Sequence, residues 1–186
     1  MKDGFESSAL AKRALGFHCP RWSQLPEIAL YMDQVTGYIN DIFQPLCAEG
    51  QEPLLTKAMV NNYVKLRVIH APDRKKYSRD HIAYLIAICV LKQVFSIPEI
   101  ARLIQGQITV CPVENAYDYF CGQLESCLKA AFSGETSPLP EDDKKLLAMR
   151  AAQAWADKMF LQKRLEYEYY EQKEKAARLA ETASKK

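Results

Sequence analysis

Basic and amide side chains gather in one stretch of the chain, between Thr56 and His81. This stretch contains seven Lys and Arg residues and two Asp residues, whereas the whole chain of 186 residues has a formal net charge of only +2. Lysine and arginine cations bind nucleic-acid phosphates, and an asparagine amide matches the donor and acceptor on the edge of adenine. Asn61 and Asn62 lie inside the basic stretch. These residue types and their spacing therefore indicate contact with a nucleic-acid duplex.

A helix with two distinct faces is predicted to position the first half of the stretch. Thr56 is a favourable N-cap, and residues 57–67, projected at about 100° per residue, separate into two faces. One face has small, amide and basic side chains: Lys57, Ala58, Asn61, Asn62 and Lys65. The other has apolar and aromatic side chains, which we expect to be buried: Met59, Val60, Tyr63, Val64 and Leu66.

The second half of the stretch is predicted to form a small hairpin with a basic tip. Val68 and Ile69 have the side chains of a short strand, residues 71–73 indicate a turn, and residues 75–77 return as a second strand. The basic side chains expected to contact phosphates are Lys57, Lys65, Arg67, Arg74, Lys75, Lys76 and Arg79. Such a run of charges is also typical of a solvated surface, and this alternative stays open.

Hydrophobic periodicity predicts six further helices around the basic stretch. They cover about residues 8–17, 26–44, 78–94, 96–106, 112–132 and 140–182. Residues 78–94 are apolar on nearly all sides, which indicates the central buried helix. Ser96 and Glu99 have the spacing of a capping box.

The elements divide into three predicted regions. Residues 1–24 are expected to be a loosely attached N-terminal extension, and residues 25–106 to form the main domain. Residues 107–186 are expected to be a helical extension. Because its last helix is too long for a small domain to bury alone, we expect a homodimer formed through residues 112–182.

Catalytic motifs are not found in the sequence. It has no glycine-rich phosphate loop, no HExxH and no Gly-x-Ser-x-Gly, so we predict neither enzymatic activity nor a cofactor. Glu27 and Asp33 are interpreted as surface charges, and His81 as a packed or solvated histidine rather than a pH sensor.

The six cysteines have no two-residue spacing typical of zinc sites, and we expect all of them to be reduced and structural. A thiol or metal sensor built from Cys111, Cys121 and Cys127 with a histidine is the alternative. The N-terminus lacks the apolar block of a signal peptide, and the longest apolar run, residues 82–91, is shorter than the ~20 residues of a membrane span. We therefore expect a cytoplasmic protein with no membrane contact.

Two families resemble parts of this sequence. Residues 56–65, the turn at Pro72, residues 74–77 and the segment Phe-Ser-Ile-Pro-Glu-Ile at 95–100 resemble the MerR-type winged helix-turn-helix. Residues 25–35, 55–65, 75–83 and 91–94 are similar to a bacterial domain-of-unknown-function family, number 1836.

The MerR resemblance implies a recognition helix in the major groove and a basic wing on the adjacent backbone. The sequence departs from the MerR pattern at Asn61 and Asn62, where that family has Arg and an aromatic residue, and at Arg67, where it has Gly. DNA contacts are therefore carried over most directly to the residues that match: Tyr63, Arg74, Lys75, Lys76 and Tyr77.

The sequence thus predicts a mainly α protein, a MerR-like winged helix-turn-helix with a helical C-terminal extension. We expect it to bind double-stranded DNA sequence-specifically as a transcriptional regulator. The predicted contact residues are Lys57, Ala58, Asn61, Asn62, Tyr63, Lys65, Arg67, Arg74, Lys75, Lys76, Tyr77 and Arg79. A protein-interaction module without DNA binding is the alternative, and a further hypothesis places a small-molecule effector between Tyr117, Tyr119, Phe120 and Trp155.

Overall fold

The computed structural model of the chain describes residues 4–48, 50–109, 111–135 and 139–184. Within these residues the chain forms seven α-helices, two 3-10 helices and a two-stranded antiparallel sheet, which confirms the mainly α prediction. The α-helices are α1 (Ala9–Leu15), α2 (Met32–Phe43), α3 (Lys57–Lys65), α4 (Arg79–Leu91), α5 (Ile97–Ile108), α6 (Val113–Ser133) and α7 (Asp143–Ser184). The strands are β1 (Leu30–Tyr31) and β2 (Lys76–Tyr77), and the 3-10 helices are Trp22–Gln24 and Gln44–Leu46.

Helix α4 lies at the centre of the core. Ten of its 13 residues are buried, as its uniform apolarity predicts. Helices α2, α6 and α7 all pack on it. A helix without a polar face has to be surrounded on all sides, and the remaining elements are arranged around α4 accordingly.

The N-terminal segment belongs to the core, which corrects the prediction of a loosely attached extension. Phe5 is 2% exposed, and its ring packs 6.0 Å from the ring of Phe132 and 5.6 Å from that of Phe160. Phe17 stacks on Phe43 of α2 at 5.6 Å. The isolated aromatic residues of this segment therefore fix it between α2, α6 and α7.

The buried cluster also continues across the boundary predicted near residue 106. Helices α6 and α7 pack on each other, and both also pack on α4. Trp155 and Met159 of α7 belong to the same buried cluster as the residues of α4. Helix α6 and the first half of α7 thus complete the core formed by the preceding helices.

Local signals placed several helix ends correctly. The Thr56 hydroxyl accepts the Met59 N–H at 3.3 Å, and the Glu99 carboxylate accepts the Ser96 N–H at 2.7 Å. Helix α2, however, begins at Met32 and not near Pro26. The reason is that residues 30 and 31 are extended and pair with another strand.

The small sheet has a different partner from the one predicted. Strand β2 pairs with β1, with Leu30 opposite Tyr77 and Tyr31 opposite Lys76. Val68 is not in a strand, because its N–H bonds to the Tyr63 carbonyl at 2.9 Å at the end of α3. The observed pairing joins the turn before β2 to the start of α2.

Candidate nucleic-acid interface

Helix α3 presents the two faces predicted for it. Lys57, Ala58, Asn61, Asn62 and Lys65 are all exposed, whereas Val60 and Tyr63 are buried. Apolar contacts therefore hold one side of the helix while cations and amides face solvent. Leu66 departs from the projection and is 53% exposed, because the helix ends at Lys65.

Two polar side chains that the sequence did not single out set the position of α3. The Asn40 amide donates to the Leu55 carbonyl and accepts the Leu55 N–H, both at 2.9 Å. The Lys92 ammonium contacts the Leu54 carbonyl and lies 3.2 Å from the Met59 sulfur. Both contacts fix the chain immediately before α3 to α2 and to the end of α4. Their partners are backbone groups and a thioether 15 to 38 residues away, so no local sequence signal marks them.

Tyr63 and Tyr77 are core residues, which corrects their predicted role as DNA contacts. Each is 3% exposed. Burial raises the pKa of Tyr63 to about 12. The Tyr77 ring lies edge-on to the ring of His81, with centroids 5.5 Å apart. Neither side chain is accessible to a macromolecular ligand.

The turn before β2 carries two basic residues in an unusual backbone conformation. The Lys76 N–H donates to the Asp73 carbonyl at 2.7 Å and closes a β-turn. Its two central residues, Arg74 and Lys75, have φ angles of 45° and 65°. Such a turn strongly favours Asn and Gly, because a left-handed backbone crowds the Cβ atom of other residues. Both side chains are exposed.

The C-terminal end of α3 also has a basic residue with a left-handed backbone conformation. The Val68 N–H bonds to the Tyr63 carbonyl, and the Arg67 N–H to the Val64 carbonyl at 3.0 Å, the two hydrogen bonds of a Schellman motif. Arg67 takes the left-handed position of this motif, with φ 56°, where glycine is the usual residue. Arginine therefore holds a backbone conformation that glycine adopts at lower cost, and its side chain is an exposed cation.

Arg67, Arg74 and Lys75 are the three non-glycine residues with positive φ in the part of the chain that the structure describes. Residues held in this region cost of order 1–3 kcal/mol each, and they cluster at functional sites. All three are basic and exposed, and all belong to the predicted contact set. Among the described residues, none of them has an ion-pair or ring partner.

Two further cations, Lys57 and Lys76, are held against the junction of β1 and α2. Lys57 pairs with Asp33 in the first turn of α2, and the Lys76 ammonium lies 5.2 Å from the centre of the Tyr31 ring. These two contacts bring the first turn of α3 and the turn at residues 73–76, which we call the basic turn, to the same junction.

Arg79 is less available than predicted. Its guanidinium lies 3.3 Å from the Glu27 carboxylate and 5.5 Å from the centre of the Trp22 ring, and its side chain is 21% exposed. It joins the start of α4 to the segment before β1, so a structural role describes it better than phosphate contact.

His81 packs against Tyr77, the residue that directly follows the turn at residues 73–76. Its Nδ1 accepts the Ser78 N–H at 3.1 Å and closes the cap of α4. Its Nε2 is buried beside the backbone of His70 and Ala71. Burial and the neighbouring His70 lower the pKa of His81. The prediction of a packed histidine is thus confirmed.

The four aromatic residues of the effector hypothesis do not form one site. Trp155 is fully buried against Phe17, and the half-buried Tyr119 donates through its hydroxyl to the Lys145 carbonyl at 3.3 Å. Tyr117 and Phe120 line a separate apolar cavity of about 80 Å³ between α4, α5, α6 and α7.

The proposed sensor cysteines are also apart. Cys121 lies against Cys19, the Cys127 thiol contacts the Met149 carbonyl, and the half-buried Cys111 lies before α6 with its thiol toward the Gln107 carbonyl. In the described part of the chain, no three His, Cys, Asp or Glu side chains are placed to hold a metal ion.

No helix in the described ranges combines the length and apolarity needed to cross a membrane. The chain matches no curated protein and no solved structure. A family match does cover residues 20–120, more than half of the chain, and includes α3, the basic turn and α4. The chain therefore belongs to the family described as domain of unknown function 1836, as its sequence motifs predict.

Proposed function

We propose that this protein binds double-stranded DNA through one basic surface. We define the basic surface as the exposed side chains of α3, its C-terminal end and the basic turn: Lys57, Asn61, Asn62, Lys65, Arg67, Arg74, Lys75 and Lys76. The observation that carries the proposal is the left-handed backbone of Arg67, Arg74 and Lys75. Glycine or asparagine would form the same turns at lower cost. Contact between a cationic side chain and a phosphate offsets the conformational free energy that the left-handed backbone costs.

The shape of α3 suits the major groove. An α-helix with its side chains is about 10–12 Å across, and the major groove of B-DNA is about 12 Å wide, so α3 fits into the groove. With α3 in the groove, Asn61 and Asn62 face the base edges. Lys65 and Arg67 at its end reach one strand of the backbone, and Arg74 and Lys75 reach the backbone beside it. This assigns sequence reading to the amides and positioning to the cations.

The arrangement resembles a winged helix-turn-helix with one extended connection. Residues 44–56 join α2 to α3, whereas a helix-turn-helix uses a turn of about 3–4 residues. Asn40 and Lys92 hold the end of this longer connection and so fix the position of α3 relative to α2, as a short turn does in a helix-turn-helix. We infer a MerR-like transcriptional regulator in which the basic turn acts as the wing.

A second copy of the chain is the partner proposed for α7. Leu161, Leu165 and Tyr169 are 58%, 64% and 63% exposed and follow one another at four-residue spacing. Residues four apart lie on one helix face, so the three form an apolar stripe. Pairing two copies through this stripe gives one assembly with two basic surfaces, as a DNA site with two half-sites requires.

The same stripe favours a second candidate function, a protein-interaction module that recruits another protein through α7 and has no DNA binding of its own. The two candidates differ in what the basic surface contacts. They are therefore separated by an experiment on DNA.

Selection of bound duplexes from a random pool, at two salt concentrations, tests the proposal. We expect enrichment of a defined motif, with retention that weakens as salt increases, because each phosphate contact contributes about −0.9 to the log–log salt slope. Recovery of unenriched DNA at background level, together with a salt-insensitive protein pull-down, would instead support the interaction module.

A further inference from the structure

Two cysteines that are far apart in sequence meet in the core. The Cys19 sulfur lies 3.1 Å from the Cys121 sulfur, and both residues are fully buried. Cys19 belongs to the segment between α1 and the first 3-10 helix, and Cys121 lies in the middle of α6. A disulfide has an S–S distance of about 2.05 Å, so closure of about 1 Å joins the two sulfurs.

Polar contacts on one side of Cys121 hold Cys19 in place. Glu125, one helical turn after Cys121, accepts the Cys19 N–H at 2.9 Å. The same carboxylate accepts two hydrogen bonds from the Arg21 guanidinium, at 2.9 and 2.6 Å. Burial raises the pKa of Glu125, but these hydrogen bonds outweigh it and leave that pKa below its ordinary value. Glu125 is therefore charged at neutral pH and accepts these hydrogen bonds from Cys19 and Arg21.

A second contact holds the segment on the other side. The Tyr117 hydroxyl, one helical turn before Cys121, donates to the Pro20 carbonyl at 2.8 Å. The backbone of residues 19–21 is thus fixed to α6 both before and after Cys121. These hydrogen bonds on both sides hold the sulfurs of Cys19 and Cys121 next to each other.

We propose that Cys19 and Cys121 form a reversible disulfide when the protein meets a peroxide. One thiol loses its proton and, as the thiolate, attacks an oxygen of hydrogen peroxide; the O–O bond breaks, a sulfenic acid forms, and the departing hydroxide takes up that proton and leaves as the first water. The second sulfur then attacks the sulfenic sulfur, the S–S bond forms and the second water leaves. Two thiols are oxidised and one hydrogen peroxide is reduced to two waters. A dithiol reductant reverses the reaction by exchange.

The bond would enclose the family domain. A link from Cys19 to Cys121 closes a loop that contains all of residues 20–120, the segment that matches the family. Such a long closed loop restricts the unfolded chain strongly and stabilises the fold. It also ties the N-terminal segment covalently to α6, so oxidation locks the core in the arrangement described above.

The reduced pair reacts slowly. The hydrogen bond to Cys121 and burial hold the pKa of Cys19 well above its ordinary value, which keeps the sulfur a thiol at neutral pH. Because the thiolate is the nucleophile, oxidation is expected to accelerate as pH increases. Slow reaction at a buried pair distinguishes this site from the half-exposed Cys47 and Cys111.

The test uses the full chain with Cys47→Ser and Cys111→Ser, which leaves four cysteines. After treatment with hydrogen peroxide, the protein is unfolded, alkylated with iodoacetamide and mapped by mass spectrometry. We expect two alkylated thiols, at Cys89 and Cys127, and one linked peptide pair that contains Cys19 and Cys121. The melting temperature should increase by roughly 5–15 °C and return to its first value with dithiothreitol.

The matched control carries Cys121→Ala in the same background, where we expect no linked peptides and no increase in melting temperature. If this control does not fold, the peptide map of the Cys47→Ser, Cys111→Ser protein still shows whether Cys19 and Cys121 are linked. Four alkylated thiols after peroxide treatment, or linked peptides that involve Cys89 or Cys127, would overturn the proposal.

Discussion

The Asn40 side chain satisfies both backbone polar groups of Leu55. Its Nδ2 donates to the Leu55 carbonyl and its Oδ1 accepts the Leu55 N–H, each at 2.9 Å. Leu55 is 1% exposed and directly precedes Thr56, the N-cap of α3. The pair therefore fixes the point at which the chain enters the helix proposed to bind DNA.

Replacing Asn40 with Ala should destabilise the fold by about 2–3 kcal/mol, because it leaves two buried backbone groups without partners. Urea unfolding measures the change. The same variant should bind DNA less tightly, since α3 loses its fixed entry.

The control for this change is Asn62→Ala on the exposed face of α3, which should alter stability by less than about 0.5 kcal/mol. Equal stability of the Asn40 and Asn62 variants would contradict the role assigned to the Asn40 amide.

Glycine at Lys75 should stabilise the protein while it weakens DNA binding. Lys75 has φ 65°, so glycine relieves a strained backbone and is expected to add about 0.5–1 kcal/mol to the free energy of unfolding. Arg67→Gly should act in the same way. Thermal unfolding and DNA titration of the same samples check both effects, and Lys65→Gly, inside α3, should instead destabilise. A Lys75→Gly protein that is less stable than the parent would contradict the claim that the backbone at Lys75 is strained.

His81 should make the protein less stable in mild acid. Its pKa is lowered in the folded state, so the unfolded chain binds more protons below about pH 6.5, and stability decreases as pH decreases through that window. The slope is at most about 1.4 kcal/mol per pH unit. Urea unfolding at several pH values measures it.

His81→Gln should remove this part of the pH dependence, because glutamine can still accept the Ser78 N–H but does not titrate there. His70, Tyr77 and Asp80 also face or adjoin this site and are unchanged in the variant. An unaltered pH profile in His81→Gln would assign the slope to other groups.

Polar substitutions in the apolar stripe of α7 should separate the two copies. Leu161→Gln with Leu165→Gln keeps good helix formers and removes exposed apolar surface, so we expect a folded monomer whose melting temperature no longer increases with protein concentration. Sedimentation velocity measures the oligomeric state. Leu147→Gln, also exposed on α7, should leave it unchanged. A double variant with the same sedimentation coefficient as the parent would exclude the stripe as the dimer contact.

Local signals accounted for the helices and for the face that α3 exposes. Thr56 and Ser96 cap their helices with groups three residues away, and such short-range chemistry is visible in the sequence. The projection of α3 also placed Tyr63 on the buried face, whereas the MerR resemblance suggested a DNA contact. Periodicity was the better guide because burial follows directly from the helical repeat.

Contacts between distant segments were not predictable in the same way. Strand β2 has two partners compatible with its short sequence, and only the fold selects residues 30 and 31 over Val68 and Ile69. Asn40 and Cys19 act on groups that are far along the chain. The positive φ of Arg67 was hidden for another reason, since arginine gives no sign of a left-handed backbone.

The most direct measurement of the central claim is fluorescence anisotropy of a labelled duplex, with Arg74, Lys75 and Lys76 replaced together by Ala. The matched control replaces Lys129, Lys145 and Arg150 on α6 and α7, which removes the same charge from another surface. We predict that the basic-turn variant loses about 100-fold in affinity and about 3 in salt slope, while the control stays within about threefold of the parent. Parent-like binding by the basic-turn variant, or an equal loss in both variants, would contradict DNA binding through the basic surface.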